Sequence, residues 1–164
     1  FMKKDTHPTY FPEAKIIFTK TNADPGGKVV NEMIDQYVAS HRLATSFVSM
    51  ERFLYLSALK NVDVVIGNSS SGIIEAPLLR TPTVNMGPRQ DGRPRAASII
   101  DCDENAKSIR ASICKALSPE FQRIVATTRS LYGCKNVNRR IKEKLKSVPL
   151  KNILFKKFYD NSST

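Results

Sequence analysis

The chain has 164 residues, of which 41% are apolar and 25% are charged, a composition typical of one soluble globular domain. No apolar run approaches the ~20 residues of a membrane-spanning helix, and no apolar segment follows the basic start as it would in a secretory signal. The net charge of +11 favours anionic partners, which include nucleic acid, membrane surfaces and small anionic molecules.

The cysteine and histidine residues give no pattern of metal or disulfide chemistry. The three cysteines, Cys102, Cys114 and Cys134, are odd in number and lack a C-x-x-C spacing, so neither a disulfide framework nor a zinc site is predicted. His7 and His41 are isolated. We therefore expect reduced thiols in a cytoplasmic protein, with no metal and no cofactor.

The first half of the chain alternates short apolar strands with helical segments. After a loop or ragged start over residues 1–14, strands are predicted at 15–20, 45–49, 62–66 and 82–86, and helices at 29–38, 51–60 and 73–79. The strands are apolar on both faces, as in a parallel sheet that is covered by helices. The sequence therefore predicts an α/β fold.

The second half is mainly helical. A polar loop at 88–95 and a short apolar run at 98–100 precede the predicted helices, which lie at 106–117, from 119 onward, at 137–146 and at 150–158. Residues 135–157 contain nine lysines or arginines and one acid, Glu143. Solvated faces of amphipathic helices explain this charge better than nucleic-acid binding, because aromatic residues are not interleaved with the basic ones.

A serine-rich turn lies where a predicted strand ends and a helix begins. Ser69, Ser70 and Gly72 stand at this junction, where unpaired backbone N–H groups and the helix dipole stabilise an anion such as phosphate. The hydroxyl groups add donors, and the glycine permits close approach of a ligand. The alternative is that the serines merely cap the helix. The turn matches neither a nucleophile elbow nor a Walker motif.

Two charged residues near this turn can complete a nucleotide site. Glu75 can accept hydrogen bonds from the vicinal hydroxyls of a ribose, or it can simply be a favourable acid near a helix N-terminus. Arg89 follows the next strand and offers a bidentate fork to phosphate oxygens. Alternatively, Arg89, Arg93 and Arg95 form a solvated loop.

Residues 67–77 and 81–93 closely resemble the hydrolysing UDP-N-acetylglucosamine 2-epimerases of sialic-acid biosynthesis. The turn at 21–27 is similar to an Asn-x-Asp-x-Gly turn of that family, and residues 154–158 are similar to its C-terminal end. The family has two Rossmann-like domains, arranged as in GT-B glycosyltransferases, with the active site between them.

The resemblance implies that this chain is the second, UDP-binding domain. Residues 15–148 would form its Rossmann-like parallel sheet flanked by helices, and residues 149–164 would form a C-terminal crossover helix and a frayed tail. The implied contacts are Ser69 and Ser70 with the diphosphate, Glu75 with the ribose, Arg89 with phosphate, Asn22 with the sugar, and Val48 to Met50 with the uracil.

The family reaction removes the C2 proton with elimination of UDP to a 2-acetamidoglucal, and water then adds to give N-acetylmannosamine. The family's catalytic carboxylates and a histidine belong upstream of this chain, so no catalytic residue is assigned here. The predicted function is the UDP-binding half of such an epimerase, with the missing N-terminal Rossmann domain and UDP-N-acetylglucosamine or a related UDP-sugar as partners.

Other interpretations of the chain stay open. It can be a catalytically inactive UDP-binding module or a remnant, and a nucleic-acid-binding α/β domain ranks below both. We expect no nucleic-acid or membrane partner, and homo-oligomerisation is left open. The sequence does not distinguish UDP-N-acetylglucosamine from a diacetamido relative.

Overall fold

The computed structural model describes residues 11, 13–21, 26–133, 136–149 and 151. The chain divides into two compact units, which meet in sequence between Tyr132 and Gly133. The predicted helix at 150–158 lies outside the described residues, apart from residue 151. The domain limits expected at residues 15 and 148 stay a prediction.

The first unit is an α/β structure, as predicted. Its helices and strands are β1 (Ile16–Thr19), α1 (Gly27–Ser40), β2 (Ala44–Phe47), α2 (Arg52–Asn61), β3 (Val65–Gly67), α3 (Ser70–Ile74), β4 (Thr83–Met86), β5 (Ile99–Cys102), α4 (Ala106–Leu117) and α5 (Pro119–Thr127). Short 3₁₀ helices cover Ala76–Leu79 and Pro88–Gln90. The second unit contains α6 (Val137–Ser147).

All strand pairs in the described residues are parallel. β1 pairs with β2, whereas β3, β4 and β5 form a three-stranded sheet with β4 in the centre. The α/β class and its parallel strands flanked by helices are therefore confirmed, with the strands divided between two hydrogen-bonded sheets. The three-stranded sheet aligns the carboxyl ends of β3 and β4. The end of β3 leads into the serine turn (residues 67–72), and the end of β4 leads into the arginine loop (residues 87–95).

Two predicted elements differ by three residues or more from their expected limits, whereas the other described elements differ by at most two. The strand expected at 62–66 begins at Val65, because the Val62 N–H still closes α2 through a 3.1 Å hydrogen bond to the Ala58 carbonyl. The helix expected at 73–79 begins earlier, at Ser70, and ends at Ile74. A 3₁₀ helix follows it, because Pro77 has no N–H to continue the α-helical ladder.

The hydrophobic core lies between the three-stranded sheet and the helices that follow it. Val84 from β4 packs with Ala116 from α4 and with Phe121 and Val125 from α5. The helix start predicted at 119 is confirmed, because the Ser118 hydroxyl accepts a 3.2 Å hydrogen bond from the Phe121 N–H. This cap and the buried phenyl ring fix α5 against the sheet.

Of the five strands that the structure describes, β4 alone is buried along most of its length. The Ile17 side chain on β1 and the Ile66 side chain on β3 are each 44% exposed, since both strands lie at sheet edges. No helix among the described residues is long and apolar enough to cross a bilayer.

Candidate functional site

The serine turn connects β3 to α3, and some of its polar groups cap that helix. The Ser69 hydroxyl accepts a 3.3 Å hydrogen bond from the Ser71 N–H, and the Ser69 carbonyl accepts a 3.2 Å bond from the Gly72 N–H. The half-buried Ser70 makes no side-chain hydrogen bond among the described residues. The capping alternative therefore holds for Ser69, whereas the Ser70 hydroxyl is available to a ligand.

Packing against β4 accounts for the glycine in this turn. Gly72 is buried, and a Cβ atom at this position would lie 2.8 Å from Thr83 Cγ2. The Thr83 hydroxyl donates a 2.9 Å hydrogen bond to the Gly72 carbonyl. Any larger residue would separate α3 from β4, and the expected contact between Gly72 and phosphate stays a prediction.

Tyr55 connects α2 to the serine turn. Its hydroxyl donates a 2.6 Å hydrogen bond to the Ser71 hydroxyl oxygen. The same helix begins just after Val48, which is 79% exposed, and Met50, which is half-buried. This hydrogen bond therefore links α2, which follows the residues expected near the uracil, to the serine turn expected near the phosphate. Asn22, expected near the sugar, lies outside the described residues.

Glu75 caps the end of α3 and does not lie on its first turn. Its N–H donates a 2.9 Å hydrogen bond to the Ser71 carbonyl. An acid at this end gains nothing from the dipole of α3, and the side chain does not cap the 3₁₀ helix that follows. Its half-buried carboxylate makes no hydrogen bond within the described part of the chain, so it can accept hydrogen bonds from a ligand.

The arginine loop leaves β4 through a constrained turn. Gly87 has a φ of 69°, and a Cβ atom there would collide with the Glu104 side chain. Pro88 follows at the start of a 3₁₀ helix that also contains Arg89. Gly87 permits the positive φ of the sharp turn, and the ring of Pro88 fixes the φ of the next residue, so the backbone that leads to Arg89 follows a defined path.

The structure separates the three arginines of this loop by role. The Arg95 guanidinium donates to Asp101 at 3.1 Å and to two backbone carbonyls at 2.6 Å, so it is a structural residue. The Arg89 and Arg93 side chains are exposed and make no hydrogen bond or ion pair with the residues that the structure describes. Of the two, Arg89 is closer in sequence to the carboxyl end of β4.

A glutamine that no sequence motif marks joins the arginine loop to the serine turn. Gln90 is only 4% exposed, and its Nε2 donates a 2.8 Å hydrogen bond to the Asn68 carbonyl. This contact places the residue after Arg89 directly against the residue before Ser69. No sequence signal indicated it, because a glutamine in a polar loop is an ordinary surface residue.

The described residues contain no group of histidine, cysteine or acidic side chains that could hold a metal ion. Cys102 lies at the end of β5, where burial raises the pKa of its thiol. A hydrogen bond with Ser112 lowers this pKa in part, and the charges of Asp103 and Asp101 raise it further. The pKa shift disfavours a thiolate nucleophile at this position.

Two polar segments meet at the carboxyl ends of parallel strands, which is where open α/β sheets bind ligands such as nucleotides. The family model described as UDP-N-acetylglucosamine 2-epimerase matches residues 6–146. The chain belongs to this family.

Several curated proteins are similar to the chain over most of its length. It is 41% identical over 150 residues to the GDP/UDP-N,N'-diacetylbacillosamine 2-epimerase (hydrolyzing) of Campylobacter jejuni. It is 33% identical over 144 residues to the UDP-N,N'-diacetylbacillosamine 2-epimerase (hydrolyzing) of Legionella pneumophila. It is also 34% identical over 148 residues to the polysialic acid biosynthesis protein P7 of Escherichia coli. These matches cover 87–90% of this chain but only 37–38% of each relative.

Proposed function

We propose that this chain is the UDP-binding part of a hydrolysing UDP-sugar 2-epimerase. The observation that carries the proposal is the hydrogen bond from Gln90 to the Asn68 carbonyl, which holds the arginine loop beside the serine turn. Membership of the epimerase family supports the choice of a nucleotide-sugar ligand. Because the chain spans only 37–38% of these relatives, catalytic groups from another part of the protein would complete the reaction.

In this proposal the ligand lies across the two polar segments. The Arg89 guanidinium donates two hydrogen bonds to the diphosphate, and the Ser70 hydroxyl donates another. The Ser69 hydroxyl, which already caps α3, lies at the edge of the same phosphate site. The Glu75 carboxylate accepts from the ribose hydroxyls. Val48 and Met50 line the uracil side, and Asn22 approaches the sugar.

The reaction that we propose for the whole protein has two steps. A base removes the proton from C2 of the sugar while the C1–O bond to UDP breaks, which gives a 1,2-unsaturated 2-acetamido sugar and free UDP. Water then adds its hydroxyl to C1 and a proton to C2 from the opposite face. The products are UDP and the 2-epimer, which is N-acetylmannosamine when the substrate is UDP-N-acetylglucosamine.

The names of two relatives favour a diacetamido substrate as the second candidate. Both the Campylobacter and the Legionella proteins are named as 2-epimerases of N,N'-diacetylbacillosamine nucleotides. This substrate differs at the sugar, whereas the UDP contacts proposed here involve the nucleotide. Both candidates therefore use the same site in this chain.

The test is calorimetric titration of the chain with UDP, UMP and pyrophosphate. Loss of the charge-assisted bonds in Arg89→Ala should weaken UDP binding by about 1.5–3 kcal/mol, or roughly 10- to 150-fold. Arg123→Ala is the control, since this exposed arginine on α5 carries the same charge outside the two polar segments. Equal losses in the two variants would indicate nonspecific charge attraction and contradict the proposed site.

A second variant tests the ribose contact. Glu75→Gln should weaken binding of UDP more than binding of pyrophosphate, because only UDP contains a ribose. Equal losses for the two ligands would contradict the role of Glu75. Absence of any UDP binding at millimolar concentration would contradict the proposal that this chain holds the nucleotide by itself.

A further inference from the structure

The loop that carries Arg89 is fastened to the rest of the first unit at two places. At one of them the buried Gln90 side chain donates its 2.8 Å hydrogen bond to the Asn68 carbonyl. At the other, Arg95 donates to the carbonyl of Gln90 and to the carboxylate of Asp101 on β5. Arg89 immediately precedes Gln90, which takes part in both sets of hydrogen bonds.

The hydrogen bonds of Arg95 extend to the centre of the three-stranded sheet. Asp101 Oδ1 accepts hydrogen bonds from Arg95 Nε at 3.1 Å and from the Asn85 amide at 2.6 Å. Asn85 is 1% exposed on the central strand β4. A polar chain therefore runs from the core to the Gln90 carbonyl, which accepts from Arg95 Nη1 at 2.6 Å. The hydrogen bonds of this chain involve a carboxylate or a guanidinium, and such charge-assisted bonds are stronger than neutral ones.

The Gln90 side chain has an incompletely satisfied amide. Its Nε2 is bonded to Asn68, but its buried Oε1 has no hydrogen-bond partner among the described residues. An unpaired buried acceptor lowers stability, so the side chain is a poor choice for stability alone. Its one hydrogen bond instead joins the arginine loop to the residue before Ser69.

We propose that Gln90 is a positioning residue for the phosphate site: it acts through Arg89 by holding the arginine loop against the serine turn. This inference rests on the proposed function, because it assumes that Arg89 binds phosphate. Gln90 itself does not touch the ligand. A guanidinium gives its full bidentate interaction only when both hydrogen bonds are aligned, so a small displacement of the loop reduces affinity.

The decisive variant is Gln90→Met, which keeps the length of the side chain but removes both amide atoms. It should weaken UDP binding about 10-fold. The unfolding midpoint should change little, because the unsatisfied Oε1 disappears together with the hydrogen bond. A residue with only a structural role would instead lose stability and affinity in parallel.

A double-mutant cycle tests the route through Arg89. In the Arg89→Ala background, Gln90→Met should cause less than about a twofold further loss of UDP affinity, since the group that it positions is already absent. Independent, multiplying losses would overturn the proposal, as would unchanged UDP affinity in Gln90→Met alone.

Amide hydrogen exchange separates this proposal from the proposed function. In Gln90→Met, exchange should accelerate in both the serine turn and the arginine loop, with no change in α5. Unchanged exchange in the turn and the loop would overturn the positioning role whether or not UDP binds. If the unmodified chain fails to bind UDP while exchange accelerates as expected, the proposed function fails and the connection made by Gln90 stands.

Discussion

Replacement of Gly72 by alanine tests how α3 packs on the sheet. The added Cβ atom would lie 2.8 Å from Thr83 Cγ2, which is closer than two carbon atoms can approach without movement. Overpacking of this kind costs about 1–3 kcal/mol, and the higher helix propensity of alanine returns at most about 1 kcal/mol. We therefore expect Gly72→Ala to lower the free energy of unfolding by about 1–2 kcal/mol.

Urea denaturation followed by far-ultraviolet circular dichroism measures this loss, and a second substitution shows its cause. Thr83→Ser removes the methyl group that the alanine would meet but keeps the hydroxyl that donates to the Gly72 carbonyl. Thr83→Ser alone should cost about 1 kcal/mol for the buried methyl group. The double variant should be more stable than the sum of the two losses predicts. Additive losses would refute the packing argument.

Three other predictions concern separate parts of the first unit. Tyr55→Phe should lower the free energy of unfolding by about 1 kcal/mol in urea denaturation, because it removes the 2.6 Å hydrogen bond to Ser71; an unchanged midpoint would contradict a stabilising role for that bond. Phe53 is 89% exposed, so Phe53→Ser should change the free energy of unfolding by less than about 0.5 kcal/mol in urea denaturation. A loss above about 1 kcal/mol would contradict the exposed position of this ring. Cys102 should react with iodoacetamide at pH 8 more slowly than the exposed Cys114, because the raised pKa of Cys102 leaves less thiolate. Peptide mass mapping measures the two rates, and equal rates would contradict this expectation.

Local signals in the sequence predicted much of the fold. Ser118 followed by Pro119 predicted the start of α5, and the structure has both the serine cap and the proline at the first helical position. Signals of this kind succeed because the cap and the first turn lie within three residues of each other. The beginning of β3 was predicted three residues early, because Val62 and Val64 fit a strand pattern although the Val62 N–H still belongs to the end of α2.

In the candidate site too, the sequence indicated the local features and did not indicate the contacts between distant residues. The strand-to-helix junction at Ser69 and Ser70 was visible in the sequence because its chemistry lies in consecutive residues. The bond from Gln90 to Asn68 joins residues 22 positions apart, and its acceptor is a backbone carbonyl, which every residue has. No residue type marks such an acceptor, so no sequence pattern could reveal it.

The arginines show why residue type alone does not assign a role in binding. Arg89 and Arg95 lie six positions apart in one polar loop, and both carry the same group. Only Arg95 faces a carboxylate from β5 and two carbonyls of its own loop, so its hydrogen bonds are used within the fold. A ligand site needs donors that the fold leaves unused, and which donors are unused depends on strand pairing that brings Asp101 alongside Asn85. The sheet engages Arg95, which leaves Arg89 and Arg93 as the arginines of this loop that could bind a phosphate.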